Sequence, residues 1–206
     1  MSKNNSIREL IPLEDYHPQQ TPHALKVILG KQYQQKTRHF EVKIVTIEQF
    51  NMLALKVNGS MKNFEAGHEV RKGWKRLQDI IVANNIVSVE ENEGIVFYDQ
   101  ANMVQSDGSI ELSIGVKVEE IPYIPKECTK VTIPKRHYAK IECRCFSKEQ
   151  MNLRYDYLNK WFKDKGYQID NNSFSLEPNR LDSFNPFEIP ADEIQVFDFD
   201  ILYPIK

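Results

Sequence analysis

Glu177 is the one acidic side chain in the stretch FSLEPNR. Alternation along a strand sends Phe174 and Leu176 one way, and Ser175 and Glu177 the other. If the apolar pair faces a core, the carboxylate faces a groove. An exposed carboxylate at a strand end fits the same letters, and the strand pattern alone leaves both open. A carboxylate in a partly dry groove is costly unless a cation or hydrogen-bond donors meet it. Desolvation also raises its pKa. Such a group serves as a seat for a cation or as a general acid or base. Aromatic faces around it add cation–π attraction of about 0.5–2 kcal/mol.

Aromatic side chains are available. A helical pattern over SKEQMNLRYDYLNKWFKDKGY carries one stripe at Met151, Tyr155, Leu158 and Phe162, which reads as core. A second line runs through Leu153, Tyr157 and Trp161. One line can pack on a sheet while the other lines a groove or meets another helix. Trp74 lies on the main stripe of an earlier helix, and a stripe aromatic is more often core than site. Tyr98, Tyr138 and Tyr123 are further candidates.

Other chemistries find little support. The chain lacks GxSxG, Walker, GxGxxG and HExxH patterns. Its cysteines are Cys128, Cys143 and Cys145, an odd and sparse set unlike a disulfide framework. Cys143 and Cys145 stand two apart in a strand and so share one face. With no histidine nearby, they read as small buried side chains and not as a metal or redox pair. No catalytic residue, metal ligand or cofactor is assigned.

The elements that must position Glu177 follow from periodicity. FEVKIVTIE and MLALKVNG read as strands. Val70, Trp74, Leu77 and Ile81 then form one face of a helix that Asn84 and Asn85 end. GIVFYD, a turn at Ser106-Asp107-Gly108, and IELSIGVKVEE complete the first half. TKVTIPKRHYAKIECRC reads as a strand pair. The second helix takes Ser147 as N-cap, Gln150 as reciprocal cap and Gly166 as stop. FSLEP and IQVFDFDILYPI close the chain. Each half is strand, strand, helix, strand, strand. The expected fold is α+β, a pseudo-two-fold pair of βαββ repeats with an antiparallel sheet, two long helices and a groove where the halves meet.

Residues 1–38 are polar and broken by Pro12, Pro18 and Pro22, with a short helix expected from Pro22 to about Gly30. This arm is too short for a core of its own, so the domain is placed at 39–206. Hydrophobic residues at 41% support a buried core, and a net charge of −2 does not suggest a dedicated nucleic-acid binder. The arm lacks the basic face and second helix of a major-groove reader. No leader-like or membrane-spanning apolar run is present, so a cytoplasmic protein without membrane contact is expected.

Several segments in order resemble the GyrI-like family, the effector-binding domain of AraC- and MerR-type bacterial transcription regulators. They are GIVFYD with LSIGVKV, VTIPKRHYAKIEC, YLNKWFKDKGY with Trp161, SLEPNR and DFDILYPIK. The resemblance covers about Phe40 to Ile205. It implies a central ligand groove and, in drug-binding relatives, a glutamate among aromatics that holds cationic compounds. The matching residue is Glu177. Many relatives carry an aromatic just after that acid, where this chain has Pro178 and Asn179. On this basis the expected ligand-binding set is Glu177, Trp161, Tyr157, Tyr98, Trp74 and Tyr138.

Three functions compete. The first is a sensor or sequesterer of cationic or lipophilic small molecules, including multidrug binding. The second is a hydrolase of reactive electrophiles, with Glu177 as base and a groove tyrosine as proton donor. The third is a protein modulator such as a gyrase inhibitor.

Overall fold

The computed structural model describes residues 40–60, 65–121, 123–181, 185–189 and 196–206. The arm at 1–38, with its expected helix, lies outside the described residues.

The chain runs β1 (Val42–Ile47), β2 (Phe50–Gly59), α1 (Glu65–Ala83), β3 (Glu93–Asp99), β4 (Ile110–Val118), β5 (Thr129–Ile133), β6 (Arg136–Cys145), α2 (Lys148–Lys165), β7 (Phe174–Arg180) and β8 (Phe197–Pro204). The strands form one antiparallel sheet in the order β1-β6-β8-β7-β3-β4-β2-β5. Exchanging β1–β4 for β5–β8 in turn reverses this order and leaves it otherwise unchanged. The symmetry is one of connection, and few letters match between the halves. The fold is α+β, as the periodicity predicts.

Only Glu48 and Gln49 join β1 to β2, although these strands stand first and seventh in the sheet. Pro134 and Lys135 join β5 to β6 across the same span. Such short links require the sheet to coil until its ends meet. Strand twist accumulated over eight strands has that effect. One face then closes on itself. Met52, Ala54, Ile95, Phe97, Ile133, Tyr138, Leu176 and Leu202 form a single buried cluster there, with Val45 and Ile47 of β1 packed against it.

Both helices cover the other face. Val70, Trp74 and Leu77 of α1 pack with Leu53, Val96, Ile114 and Val116. Leu158 and Phe162 of α2 pack with Ala139, Ile141, Cys143, Cys145, Tyr98 and Ile201. Val96 and Tyr98 are two apart on β3, so the two helices share a face. Their stripes at i, i+4, i+7 supply the apolar side that each buries. Asn85, with φ of 50°, turns the chain just beyond α1.

The ends of α2 are capped by its sequence. Ser147 Oγ accepts from the Gln150 backbone N–H at 3.2 Å. Gln150 Oε1 reaches back to the Phe146 N–H at 3.0 Å, one residue before the expected reciprocal partner. Gly166, with φ of 72°, ends the helix in the left-handed region, where its N–H meets the carbonyls of Phe162 and Lys163. No helix among the described residues is long and apolar enough to cross a membrane.

Candidate functional site

Between the helices, β8, β7 and β3 present the middle of the sheet. Helix α1 lies over β2 and β4, and α2 lies over β6. Glu177 stands on β7 in this interval. It pairs with Val96, and neighbours across an antiparallel ladder point to the same side, so its carboxyl shares the helix-bearing face. Leu176 and Phe174 point into the opposite cluster.

Two phenols meet the carboxylate. Tyr98, two residues along β3, donates to Glu177 Oε1 at 2.9 Å. Tyr155 on α2 donates to the same oxygen at 2.8 Å. Among the described residues no donor reaches Oε2, and Glu177 keeps part of its surface. Burial lifts the acid from the usual range near 4.5 to about 7, against the opposing pull of the Tyr155 and Tyr98 hydrogen bonds. Among the described residues no basic side chain helps to hold the charge. The phenols respond in turn. Burial first, then the neighbouring carboxylate, pushes Tyr98 and Tyr155 well above 10, so both stay protonated donors. Tyr203, on the same face of β8, joins the cluster, and burial raises it to about 12.

The strand around Glu177 is tied down. Asn179, buried on the same face, turns its amide back to the Glu177 carbonyl at 2.8 Å. Gln100 donates to Ser175 Oγ at 2.9 Å. Pro178 pairs with Ile95, a member of the opposite cluster. An aromatic directly after the acid would therefore point away from the carboxyl.

A second aromatic group borders the interval on the α1 side. The Trp74 ring lies 4.7 Å from Phe187, tilted at 40°. Both rings sit over Gly94, where a Cβ would stand 2.8 Å from each. Gly94 is two residues from Val96, the partner of Glu177. Arg71 of α1 also donates to the Ile189 carbonyl at 2.6 Å. The 185–189 segment is thus fastened to α1 at two points. The buried Trp74 Nε1 has no acceptor among the described residues.

The candidates named from sequence separate. Tyr98 comes to Glu177. Trp74 is core on the α1 flank. Tyr157 packs on Phe40 at 5.0 Å, on the flank of α2 toward β1. Trp161 stacks on Tyr167 at 5.2 Å near the C-terminal end of α2. Neither has a described contact with Glu177. Tyr138 requires a correction, because it lies in the cluster on the far face of the sheet. Ala139, Ile141 and Cys143 take the helix side of β6, and strand alternation sends Tyr138 the other way. Tyr123 is exposed. Tyr155 and Tyr203 were not among the candidates. Tyr155 lies on the stripe read as core, and the parity of Phe199, Ile201 and Tyr203 could have singled out Tyr203.

Cys143 and Cys145 share a face as expected, are fully buried, and place their sulfurs 3.7 Å apart. The Cys145 contact, and then burial, raise the Cys143 thiol. Among the described residues no cluster of three His, Cys, Asp or Glu side chains is placed to hold a metal. A hollow of about 800 Å³ at the C-terminal end of α2 is lined by Asp156, Lys160, Lys163, Tyr167 and Lys206, and does not include Glu177.

A partly dry carboxylate, with one oxygen held by phenols and the other open, can seat a cation or exchange a proton near neutral pH. The family model of the GyrI-like small molecule binding domain matches residues 40–188. That range stops short of β8, which nonetheless lies between β6 and β7 in the sheet. No curated protein matches the chain in sequence. Solved structures share the fold. The EcmrR–DNA complex aligns at a TM-score of 0.60 and 12% identity, over 98% of this chain and 67% of that one. SAV2435 bound to tetraphenylphosphonium aligns at 0.53 and 12%, over 81% and 94%. A hydrolase from Listeria innocua aligns at 0.51 and 9%, over 85% and 98%. On the strength of the family match, the chain belongs to the GyrI-like small-molecule-binding domain family.

Proposed function

We propose that this chain is an effector-binding module of the transcription-regulator type, and that its ligand is a cationic, lipophilic small molecule seated against Glu177. One observation carries the reading. Glu177 is desolvated and supported by two phenols, and among the described residues no basic side chain holds its charge. A cation would stabilise the ionised form that burial disfavours. Tyr98, Tyr155 and Tyr203 would form the floor, with Trp74 and Phe187 along the α1 side. That a neighbour in fold binds tetraphenylphosphonium and another is a DNA-bound EcmrR supports the class of function.

The test is a fluorescence titration with a cationic lipophilic dye and a neutral dye of similar shape. Glu177→Gln should weaken the cationic dye by about 1–3 kcal/mol, the scale of a lost charged contact, and the neutral dye much less. Equal losses would mean that Glu177 acts through structure and not charge.

A second reading draws on the same carboxyl. A general base works best when its pKa lies near the working pH, and Glu177 is held at about 7. Glu177 could activate water against a reactive electrophile, as the fold likeness to a hydrolase from Listeria innocua suggests. Turnover of an electrophilic ester that disappears in Glu177→Gln would favour this reading over binding alone.

A further inference from the structure

Tyr98 and Tyr155 both donate to Glu177 Oε1, at 2.9 and 2.8 Å. A carboxylate oxygen has two lone pairs, and the phenols occupy both on Oε1. Oε2 has no donor among the described residues. Any ligand that covers Glu177 removes water from Oε2. A ligand without a donor leaves that acceptor buried and unsatisfied, which opposes binding. A ligand with an N–H restores the bond and brings its charge to hydrogen-bonding distance. A quaternary centre is held farther off by its own carbon shell, where Coulomb attraction is weaker.

Resting on the reading of Glu177 as ligand anchor, we propose that the site selects organic cations bearing an N–H donor (protonated amines, amidines or guanidines) over quaternary ions of matched shape. The tyrosines reinforce this selection. Because Tyr98 and Tyr155 are both directed at Oε1, neither is turned toward Oε2. Because among the described residues no Lys or Arg supports the acid, the ligand must supply both charge and donor. Tetraphenylphosphonium, the ligand of SAV2435, has no N–H and should be a poor ligand here beside an ammonium of similar size.

The experiment compares two probes on the whole chain at pH 8, where Glu177 is mostly ionised. One is a dansyl amide with a dimethylaminopropyl arm, protonated at that pH. The other is its trimethylammonium counterpart. Wild type should bind the dimethylammonium probe about tenfold more tightly, a difference of about 1.4 kcal/mol. Glu177→Gln, checked for folding by circular dichroism, should cut that ratio to below about threefold. Equal or tighter binding of the trimethylammonium probe by wild type would overturn the selectivity while leaving the anchor intact. Absence of binding by both probes would overturn the anchor itself, and the selectivity with it.

Discussion

Tyr155 on α2 donates to Glu177 on β7 at 2.8 Å, joining the helix to the floor of the site through one carboxylate oxygen. The bond favours the ionised acid and opposes the burial that raises its pKa. Tyr155→Phe keeps the ring in the packing of α2 and removes only the donor. The Glu177 pKa should then move above 7. At pH 7 a permanent cation should bind about fivefold more weakly, because less of the acid is ionised. At pH 9 most of that difference should vanish. Cation binding measured from pH 6 to 9 on both proteins checks this. A loss that is the same at every pH would mean that the tyrosine acts through packing.

The buried acid also makes a stability prediction. Its folded pKa, about 7, lies above the usual value near 4.5. Between those values the native state holds more protons than the unfolded chain, so stability falls as pH rises from about 4.5 to 7 and then levels off. Glu177→Gln removes the effect. At pH 8 the variant should be more stable than wild type by about 2–3 kcal/mol, and at pH 4.5 by almost nothing. Urea unfolding at the two pH values measures the difference. A variant less stable than wild type at pH 8 would contradict the burial described.

Gly94 tests the α1 flank. A Cβ there would stand 2.8 Å from the Trp74 and Phe187 rings. Gly94→Ala should destabilise the fold by about 1–3 kcal/mol through overpacking. A change in urea midpoint equivalent to less than about 0.5 kcal/mol would show that the 185–189 segment yields easily.

The elements of the fold were legible because periodicity is a local property. The stripe Val70, Trp74, Leu77 and the caps Ser147 and Gly166 can be read within one element. That Glu177 lies opposite Leu176 and Phe174 was legible for the same reason, but the strand pattern left open whether that face is a groove, and only the family resemblance pointed to one. Which face of each strand the helices cover is not local, and Tyr138 was misplaced on that account. Tyr155 was missed for a different reason. The stripe that packs on a sheet counts as core, yet a tyrosine on that stripe can bury its ring and still bring its hydroxyl to a carboxylate on the sheet. Tyr157 and Trp161, on the second line of α2, instead meet Phe40 and Tyr167. The coiling of the sheet was not legible either. It follows from β1 and β2 lying near opposite ends of the strand order, which no short window reveals.

The pH dependence of binding a permanent lipophilic cation tests the central role of Glu177 most directly, because neither the ligand nor the two tyrosines change charge between pH 5.5 and 8.5. If Glu177 is the anchor, affinity should rise by up to about tenfold per pH unit below pH 7 and level off above it, since only the ionised acid attracts the cation. In Glu177→Gln the profile should be flat and lie at the weak end. A flat profile in wild type, or a rise of the same size retained in Glu177→Gln, would contradict the account.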